Sequence, residues 1–173
     1  MLTAAVSVVL QDGLSGLTFA KVAEHLGVSD RMVVYYFPTK DVLTESVVSS
    51  LAESLIASLG TAFGDEELEL DDLARRAWPV LATRKNDPVF RVFFELVGYA
   101  SARIEPYCRL SKEILNEWAK WLESRVVGKT EEDRRAKALA LMAQIDGLLL
   151  LRQTLGPKAA DAAFASAFFS EGT

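Results

Sequence analysis

The spacing of the apolar residues is the feature that most limits what this chain can fold into. Over most of its length, apolar side chains recur every three or four residues, the period of an α-helix that buries one face. Only five prolines and ten glycines interrupt 173 residues, and alternating β-branched runs bounded by hairpin turns are absent from the sequence. The sequence therefore predicts an all-α fold.

Capping residues, glycines and prolines divide the apolar pattern into nine predicted helices. Their expected ranges are Leu2–Gln11, Phe19–Leu26, Asp30–Phe37, Lys40–Leu59, Leu73–Arg84, Pro88 to either Ser101 or Arg103, Pro106–Val127, Glu131–Leu155 and Lys158–Phe169. Gly13 is expected to end the first helix, because glycine readily ends a helix in a left-handed conformation. Thr18, Ser29 and Thr39 are expected to cap the three helices that follow.

The segment 60–72 is rich in Gly, Asp and Glu and lacks helical periodicity, which predicts a linker between a domain at 1–60 and a domain at 61–173. Cys108 is the only cysteine and no charged-then-apolar leader precedes the first helix, so we expect a cytoplasmic protein. The uncharged stretches are shorter than the roughly 18 residues of a membrane span, so no membrane partner is expected.

The reactive side chains are too few for common catalytic or metal centres. One histidine, His25, and one cysteine cannot form a zinc site of the usual kind. Glycine-rich phosphate loops and a strand-to-helix nucleophile motif are also missing from the sequence. We therefore predict no catalytic residue, no metal, no cofactor and no enzymatic activity.

Two short predicted helices joined by a tight turn, Phe19–Leu26 and Asp30–Phe37, have the lengths of a helix-turn-helix. The sequences of this region, LTFAKVAEHLGVS at 17–29 and YYFPTKDVL at 35–43, resemble those of the TetR family of bacterial transcription regulators. The resemblance covers roughly residues 1–60. It implies an N-terminal DNA-binding domain with its connecting helix, and a C-terminal helical domain that binds an effector and dimerises.

This resemblance also implies which residues contact a double-stranded DNA operator. Thr18 and Lys40 correspond to family positions that grip phosphates, and Tyr36 occupies a position where the family often has a phosphate-contacting His or Tyr. The second helix of the motif is expected to expose Ser29, Asp30, Arg31, Met32, Val33, Tyr35 and Tyr36. Val28, Val34 and Phe37 are expected at or near the core.

Side-chain chemistry suggests how the exposed residues of that helix read bases. The planar guanidinium of Arg31 matches the O6 and N7 atoms of guanine, a pairing that gives about 1–3 kcal/mol of discrimination. Asp30 could accept a hydrogen bond from a cytosine amine or cap its helix, and these alternatives stay open. Met32 and Val33 could contact a thymine methyl group.

In TetR-like proteins the C-terminal region binds a small effector, here expected to be apolar, and the aromatic residues of the middle helices are the natural candidates. The expected effector-binding residues are Trp78, Phe90, Phe94, Tyr99, Arg103, Asn116, Trp118, Trp121 and Gln144. The alternative is that most of these aromatic side chains belong to an ordinary core.

The last two predicted helices are apolar over more than one face, which indicates surface left over for a partner. In TetR-like proteins these helices pair with their copies in a homodimer, and the closely spaced alanines of the last helix would permit close approach. The alternative is a monomer in which both helices are core.

Charge leaves a second function open. Residues 1–60 contain three basic and six acidic residues, a net charge of −3, which is unusual for a DNA-binding domain. The first hypothesis is a DNA-binding repressor that its effector releases from the operator. The alternative is a helical ligand-binding or scaffold protein with a degenerate DNA-binding unit.

Overall fold

A computed structural model describes residues 1–64 and 66–169, and within these ranges the chain forms nine α-helices and no strand. The helices are α1 (Leu2–Gly16), α2 (Phe19–Leu26), α3 (Asp30–Tyr36), α4 (Lys40–Phe63), α5 (Leu70–Leu81), α6 (Asp87–Ser101), α7 (Tyr107–Glu123), α8 (Glu131–Leu155) and α9 (Pro157–Phe168). The predicted all-α fold is confirmed.

The predicted linker is shorter in the structure than in the sequence interpretation. Helix α4 continues through Gly60 to Phe63, and the chain turns only at Gly64, whose φ of 69° suits glycine. Helix α5 begins at Leu70, with two aspartates in its first turn where they favour the positive end of the helix dipole. Between them, Leu68 forms a single parallel bridge with Val126. Asp65, also in this segment, lies outside the described residues.

The contacts of the chain define two compact units. Unit 1 comprises residues 1–54 and 88–114, and the described part of unit 2 comprises residues 55–87 and 115–169. This grouping adds α6 and the start of α7 to the N-terminal helices. The division into functional domains at residue 60 remains a prediction.

The three N-terminal helices and the first half of α4 contribute side chains to the core of unit 1. Its fully buried side chains include Val9, Leu14, Val22, Val33 and Leu43. Helix α2 packs on both α1 and α3. The apolar spacing that predicted these helices therefore also fixes their buried faces.

The core of unit 2 joins α5, α8 and α9. The ring of Trp78 stacks on Phe164 with centroids 4.9 Å apart, and its indole N–H donates to Asp161 at 3.0 Å. The guanidinium of Arg152 is buried and bonds both carboxylate oxygens of Asp87, at 2.6 and 3.2 Å. This bidentate pair satisfies the charge of a side chain that would otherwise be costly to bury.

Candidate nucleic-acid interface

Helices α2 and α3 form the helix-turn-helix that the sequence predicts. Gly27 ends α2 with φ 67° and ψ 33°, the left-handed conformation that glycine adopts without strain. Its N–H and that of Val28 donate to the last carbonyls of α2, which closes the turn. The caps of the motif come from local sequence, since the Thr18 hydroxyl accepts from the N–H of Lys21 at 3.2 Å.

Helix α3 has one buried face and one exposed face. Val33 is 0% exposed and Phe37 is 7% exposed, so these two side chains face the core of unit 1. Residues two positions from Val33 lie nearly opposite it on the helix. Arg31 and Tyr35 therefore form the outermost line of α3, and both are exposed.

This orientation corrects part of the prediction for α3. Val33, predicted to be exposed, is completely buried and cannot reach a base from its position. Val28 and Val34, predicted near the core, are instead 39% and 40% exposed. The physical reason is that α3 has apolar residues on every side, so its sequence does not indicate which valine faces inward.

The remaining candidates on the motif are accessible. Thr18, Ser29, Asp30, Met32 and Tyr36 are exposed, and the ring of Tyr36 packs edge-on against Tyr35 with centroids 5.4 Å apart. The predicted cap at Ser29 is wrong in one respect, because no side-chain hydrogen bond caps α3. The Thr39 hydroxyl does cap α4, accepting from the N–H of Val42 at 3.2 Å.

Lys40, the expected phosphate contact at the start of α4, is turned inward. Its amine nitrogen is buried and has no hydrogen-bond partner in the described residues. Burial lowers the pKa of this amine, because a desolvated ammonium loses its hydration. Lys21 is exposed but forms an ion pair with Asp12 at 2.5 Å.

A break in α1 anchors the helix-turn-helix to α6 within unit 1. Gly13 has φ 76° and ψ −179°, a conformation open essentially only to glycine. The carboxylate of Glu95 accepts from the N–H groups of Leu14 and Ser15 at 2.8 and 3.0 Å. A Cβ at Gly13 would lie 2.6 Å from Glu95 Oε2, so both the backbone and the carboxylate require glycine here.

A second α6 side chain bonds the other side of the same break. The guanidinium of Arg91 donates to the carbonyls of Leu10 and Gln11, which end the first part of α1. Arg91 and Glu95 are one helical turn apart, so one face of α6 satisfies the carbonyls before the break and the N–H groups after it. Sequence reasoning missed this contact, because the paired residues are about 80 positions apart.

One of the effector candidates in unit 1, Tyr99, takes part in a polar and aromatic cluster. Tyr99 donates to Glu95 at 3.4 Å and its ring stacks on Tyr107 with centroids 4.7 Å apart. Burial, and then the charges of Tyr99, Glu95 and Asp41, raises the pKa of the Tyr107 hydroxyl. Phe90 is buried, Phe94 is half-buried and Arg103 is exposed beyond the end of α6.

The other effector candidates lie in unit 2, where several have structural partners. Trp121 stacks on Phe63 with centroids 5.4 Å apart, and Trp78 is held by Phe164 and Asp161 as described above. Trp118 is half-buried, whereas Asn116 and Gln144 are exposed. A common site for all nine candidates remains a prediction.

Helix α8 carries an exposed, uncharged strip of side chains that we term the α8 stripe. Its members recur every three or four residues and are exposed: Ala136, Leu139, Ala140, Ala143, Gly147 and Leu150. Asp146 lies beside this stripe, and burial raises the pKa of its carboxyl to about 6. On α9, Ala162 and Ala165 are exposed as well.

Two helices, α4 and α8, are long and apolar enough to cross a membrane by length and composition alone. Core helices of water-soluble proteins pass the same test, so this is weak evidence for a span. The most apolar windows of α4 and α8 are 39% and 33% buried within the described residues. Groups of three or more potential metal ligands are absent among the described residues.

The fold and this interface define the class of helix-turn-helix proteins with a helical C-terminal part. Residues 1–47 match the family model of bacterial regulatory proteins, tetR family. This match confirms, for the N-terminal part of the chain, the resemblance to the TetR family drawn from the sequence motifs. A search of curated proteins found no match to the sequence.

Solved structures show the same fold over nearly the whole chain. A transcriptional regulator from Rhodococcus sp. Rha1 is 20% identical, with 97% of this chain and 91% of that chain covered and a TM-score of 0.77. A TetR transcriptional regulator from Legionella pneumophila is 17% identical, with coverage of 97% and 92% and a TM-score of 0.69. The multidrug binding protein EbrR, complexed with proflavin, is 24% identical, with coverage of 95% and 94% and a TM-score of 0.65.

Proposed function

We propose that this protein is a homodimeric DNA-binding transcription repressor that a small, apolar effector releases from its operator. The observation that carries the proposal is the exposed outer line of α3, Arg31 and Tyr35, within the segment that matches the TetR family. Gly27 forms the turn before α3 and Thr18 caps α2, so local contacts hold the helix-turn-helix in place. Regulators of this family are generally soluble, cytoplasmic and not enzymes, and the same is proposed for this protein.

Arg31 is proposed to read guanine, because its guanidinium can donate two parallel hydrogen bonds to O6 and N7. Thr18 and Tyr36 are proposed to contact phosphates on either side of the groove, and Ser29 and Asp30 lie at the end of α3 that would enter it. Val33 has no part in this set, since it is buried.

Lys40 completes the proposed phosphate contacts only if its side chain turns outward. Its amine is buried and finds no hydrogen-bond partner among the described residues, an arrangement that costs free energy. A phosphate beside the start of α4 would offer the missing partner and a charge-assisted hydrogen bond. DNA binding therefore favours an outward side chain at Lys40.

The α8 stripe, with the exposed alanines of α9, is proposed as the homodimer interface. Small side chains allow two helices to approach closely, and an uncharged face can be buried without desolvating an ion. For two copies of α3 to enter successive major grooves, the dimer must hold them about 34–36 Å apart.

An effector is proposed to act by favouring a different separation of the two α3 helices. It weakens DNA binding only by its differential affinity for the two states, so no chemistry on the effector is required. Half-buried aromatic surface suited to an apolar ligand is present at Phe94 and Tyr99 in unit 1 and at Trp118 in unit 2. The structurally similar EbrR binds proflavin, which makes proflavin a reasonable first probe.

The test starts from selection of genomic DNA fragments with the purified full-length protein, followed by gel retardation on the selected fragment. Arg31→Ala is expected to relax base preference, whereas Lys40→Ala is expected to weaken binding to all sequences. Equal selectivity in the two variants would contradict the assigned roles. Absence of retarded DNA at low salt would overturn the proposal in favour of a helical ligand-binding or scaffold protein.

The repressor and effector parts need separate measurements. A reporter gene behind the selected operator should be transcribed less when the protein is present, and increased transcription would make it an activator. Proflavin, an aromatic cation, should raise the melting temperature of the protein in the absence of DNA, without turnover of the dye. Because the dye also intercalates into DNA, release counts only at dye concentrations that leave an unrelated repressor bound to its own operator. Binding to the protein without release of the operator would contradict an effector role for the dye.

A further inference from the structure

The outward face of α3 is unusually apolar for a surface that meets DNA. We term Arg31, Met32 and Tyr35, together with Val28 in the turn before α3, the outer ridge. Tyr35 is 79% exposed and Met32 is 46% exposed, although both have large apolar side chains. Arg31 and Tyr35 are four residues apart, one helical turn or about 5–6 Å along the axis.

Positive charge around the outer ridge is scarce. Of the three basic residues in 1–60, Lys21 is paired with Asp12 and the amine of Lys40 is buried. Arg31 is thus the basic side chain that the free protein presents on the ridge itself. Attraction to phosphate, which usually supplies much of the affinity for DNA, is correspondingly small.

We infer that two residues of the outer ridge, Met32 and Tyr35, set base preference at the proposed DNA site by recognising the 5-methyl groups of thymines. This inference rests on the proposed function. Thymine is the only base with an apolar group at the major-groove edge, so it is the partner that an exposed methionine and tyrosine ring fit best. The guanidinium of Arg31 reads a guanine in the same half-site.

The spacing of the ridge limits where these bases lie. Successive base pairs are about 3.4 Å apart, and one helical turn of α3 spans about 5–6 Å. The guanine read by Arg31 and the thymine read by Tyr35 are therefore expected one or two base pairs apart in each half-site. Within the ridge, Met32 lies to one side of the line through Arg31 and Tyr35. Val34 lies on the opposite side of that line and is not part of the ridge.

Few phosphate contacts also set the expected salt dependence. If every basic residue of 1–60 contacts a phosphate in both protomers, six contacts give a log–log slope of about −5, at about −0.9 per contact. We expect a slope no steeper than this. The DNA complex should consequently lose less affinity between low and physiological salt than the complex of a regulator that makes more phosphate contacts.

The experiment uses the full-length protein and the operator obtained by selection. Each thymine is replaced by deoxyuridine in both half-sites, which removes only the methyl group, and the dissociation constant is measured by fluorescence anisotropy. For the unmodified protein we expect about a tenfold loss at one or two thymine positions, from two lost methyl contacts. Replacing the guanine with 7-deazaguanine should cost a similar factor.

Matched variants assign these losses to side chains. Tyr35→Ala and Met32→Ala should each abolish the deoxyuridine effect at one position while keeping the 7-deazaguanine effect, and Arg31→Ala should do the reverse. Val34→Ala is the control, because Val34 is similarly exposed on the same helix and should leave both effects unchanged. All four side chains are exposed, and helical far-ultraviolet dichroism and the unfolding midpoint verify that each variant folds.

The outcomes separate this inference from the proposed function. Failure to select any operator, or to retard DNA at low salt, overturns the proposed function, and a protein partner on the ridge then becomes the better reading. A selected operator whose deoxyuridine substitutions cost nothing overturns the thymine inference alone. So does a deoxyuridine loss that persists in both Tyr35→Ala and Met32→Ala, or a salt slope clearly steeper than −5.

Discussion

The outer ridge of α3 and the α8 stripe both expose apolar side chains, but their chemistry differs. The ridge combines an arginine, a tyrosine hydroxyl and a methionine, whereas the α8 stripe contains only alanine, glycine and leucine. Large amphipathic side chains on a short helix suit a patterned partner such as base edges. Small uncharged side chains over four turns suit the close approach of another helix. Exposed apolar area alone therefore does not identify a partner, and the hydrogen-bonding groups within it are more informative.

The largest expected effect tests the α8 stripe. Ala143→Glu places a carboxylate where the proposed dimer would bury it, so we expect the dimerisation free energy to fall by about 3 kcal/mol or more, at least a hundredfold in the dissociation constant. Sedimentation velocity over a concentration series measures this. Ala57→Glu, on an exposed alanine of α4, and Tyr35→Ala should both remain dimeric. A dimeric Ala143→Glu variant would contradict the assignment of the stripe.

The next effect tests whether the break in α1 at Gly13 stabilises unit 1, which carries the outer ridge. Gly13→Ala forces a side chain into a glycine conformation and against Glu95, so the free energy of unfolding should fall by roughly 3 kcal/mol. Urea denaturation provides the measurement. Gly60→Ala is the control, because an added Cβ meets nothing within 4 Å there and should be neutral or stabilising. Equal stabilities for the two variants would show that the α1 break does not anchor the motif.

A pH-dependent effect concerns Asp146 at the edge of the α8 stripe. The folded protein holds this proton more tightly than the unfolded chain, because the pKa is about 6 rather than 3.8. Stability is therefore greatest below the unfolded pKa and declines as pH rises through about 6. Asp146→Asn should raise the free energy of unfolding at pH 7.5 by roughly 2–3 kcal/mol and flatten its pH dependence between 4 and 6.

The measurement is urea denaturation at pH 5 and pH 7.5 at one protein concentration. Glu132→Gln, an exposed acidic residue on the same helix, serves as the control and should leave the pH dependence as it is. If Asp146→Asn shows the same pH dependence as the unmodified protein, burial of this carboxyl is not the cause.

The smallest expected effect concerns the Thr18 cap of α2, the helix that packs against α3. Thr18→Ala removes the hydroxyl that caps α2, so stability should fall by about 1 kcal/mol and operator affinity should fall for all sequences alike. Thr18→Ser keeps the hydroxyl and should retain both properties. Thermal unfolding and anisotropy on two unrelated DNA sequences measure the two effects. A change of base preference in Thr18→Ala would contradict a phosphate role.

Local features of the fold followed from the sequence. Helix caps and helix ends depend on residues within about four positions of each other. The sequence predicted the caps at Thr18 and Thr39, and the predicted end of the second helix at Leu26 places Gly27 directly after it. The end of α4 was wrong by four residues, because Gly60 is tolerated inside a helix and Gly64 makes the turn. An isolated glycine lowers helix stability without requiring the helix to end.

The candidate site was predictable as a segment but not side chain by side chain. Val33 is buried and Val34 is exposed, the reverse of the prediction. A seven-residue helix with apolar residues on all sides does not show in its sequence which face is buried. The inward amine of Lys40 depends on how unit 1 packs around it. The roles of the nine effector candidates remain predictions, although the contacts of Trp78 and Trp121 show that both rings pack against neighbouring aromatic side chains.

By itself, the sequence determined the helical class, most helix positions and the helix-turn-helix words, because these depend on periodicity and on caps between near neighbours. Only the tertiary structure decided which face of α3 is exposed and how the break at Gly13 is held. The burial of Val33 and Phe37 in the core of unit 1 sets the exposed face of α3. The break needs Glu95 and Arg91 to bond residues about 80 positions earlier, and the free energy of such contacts exists only once the core has brought them together.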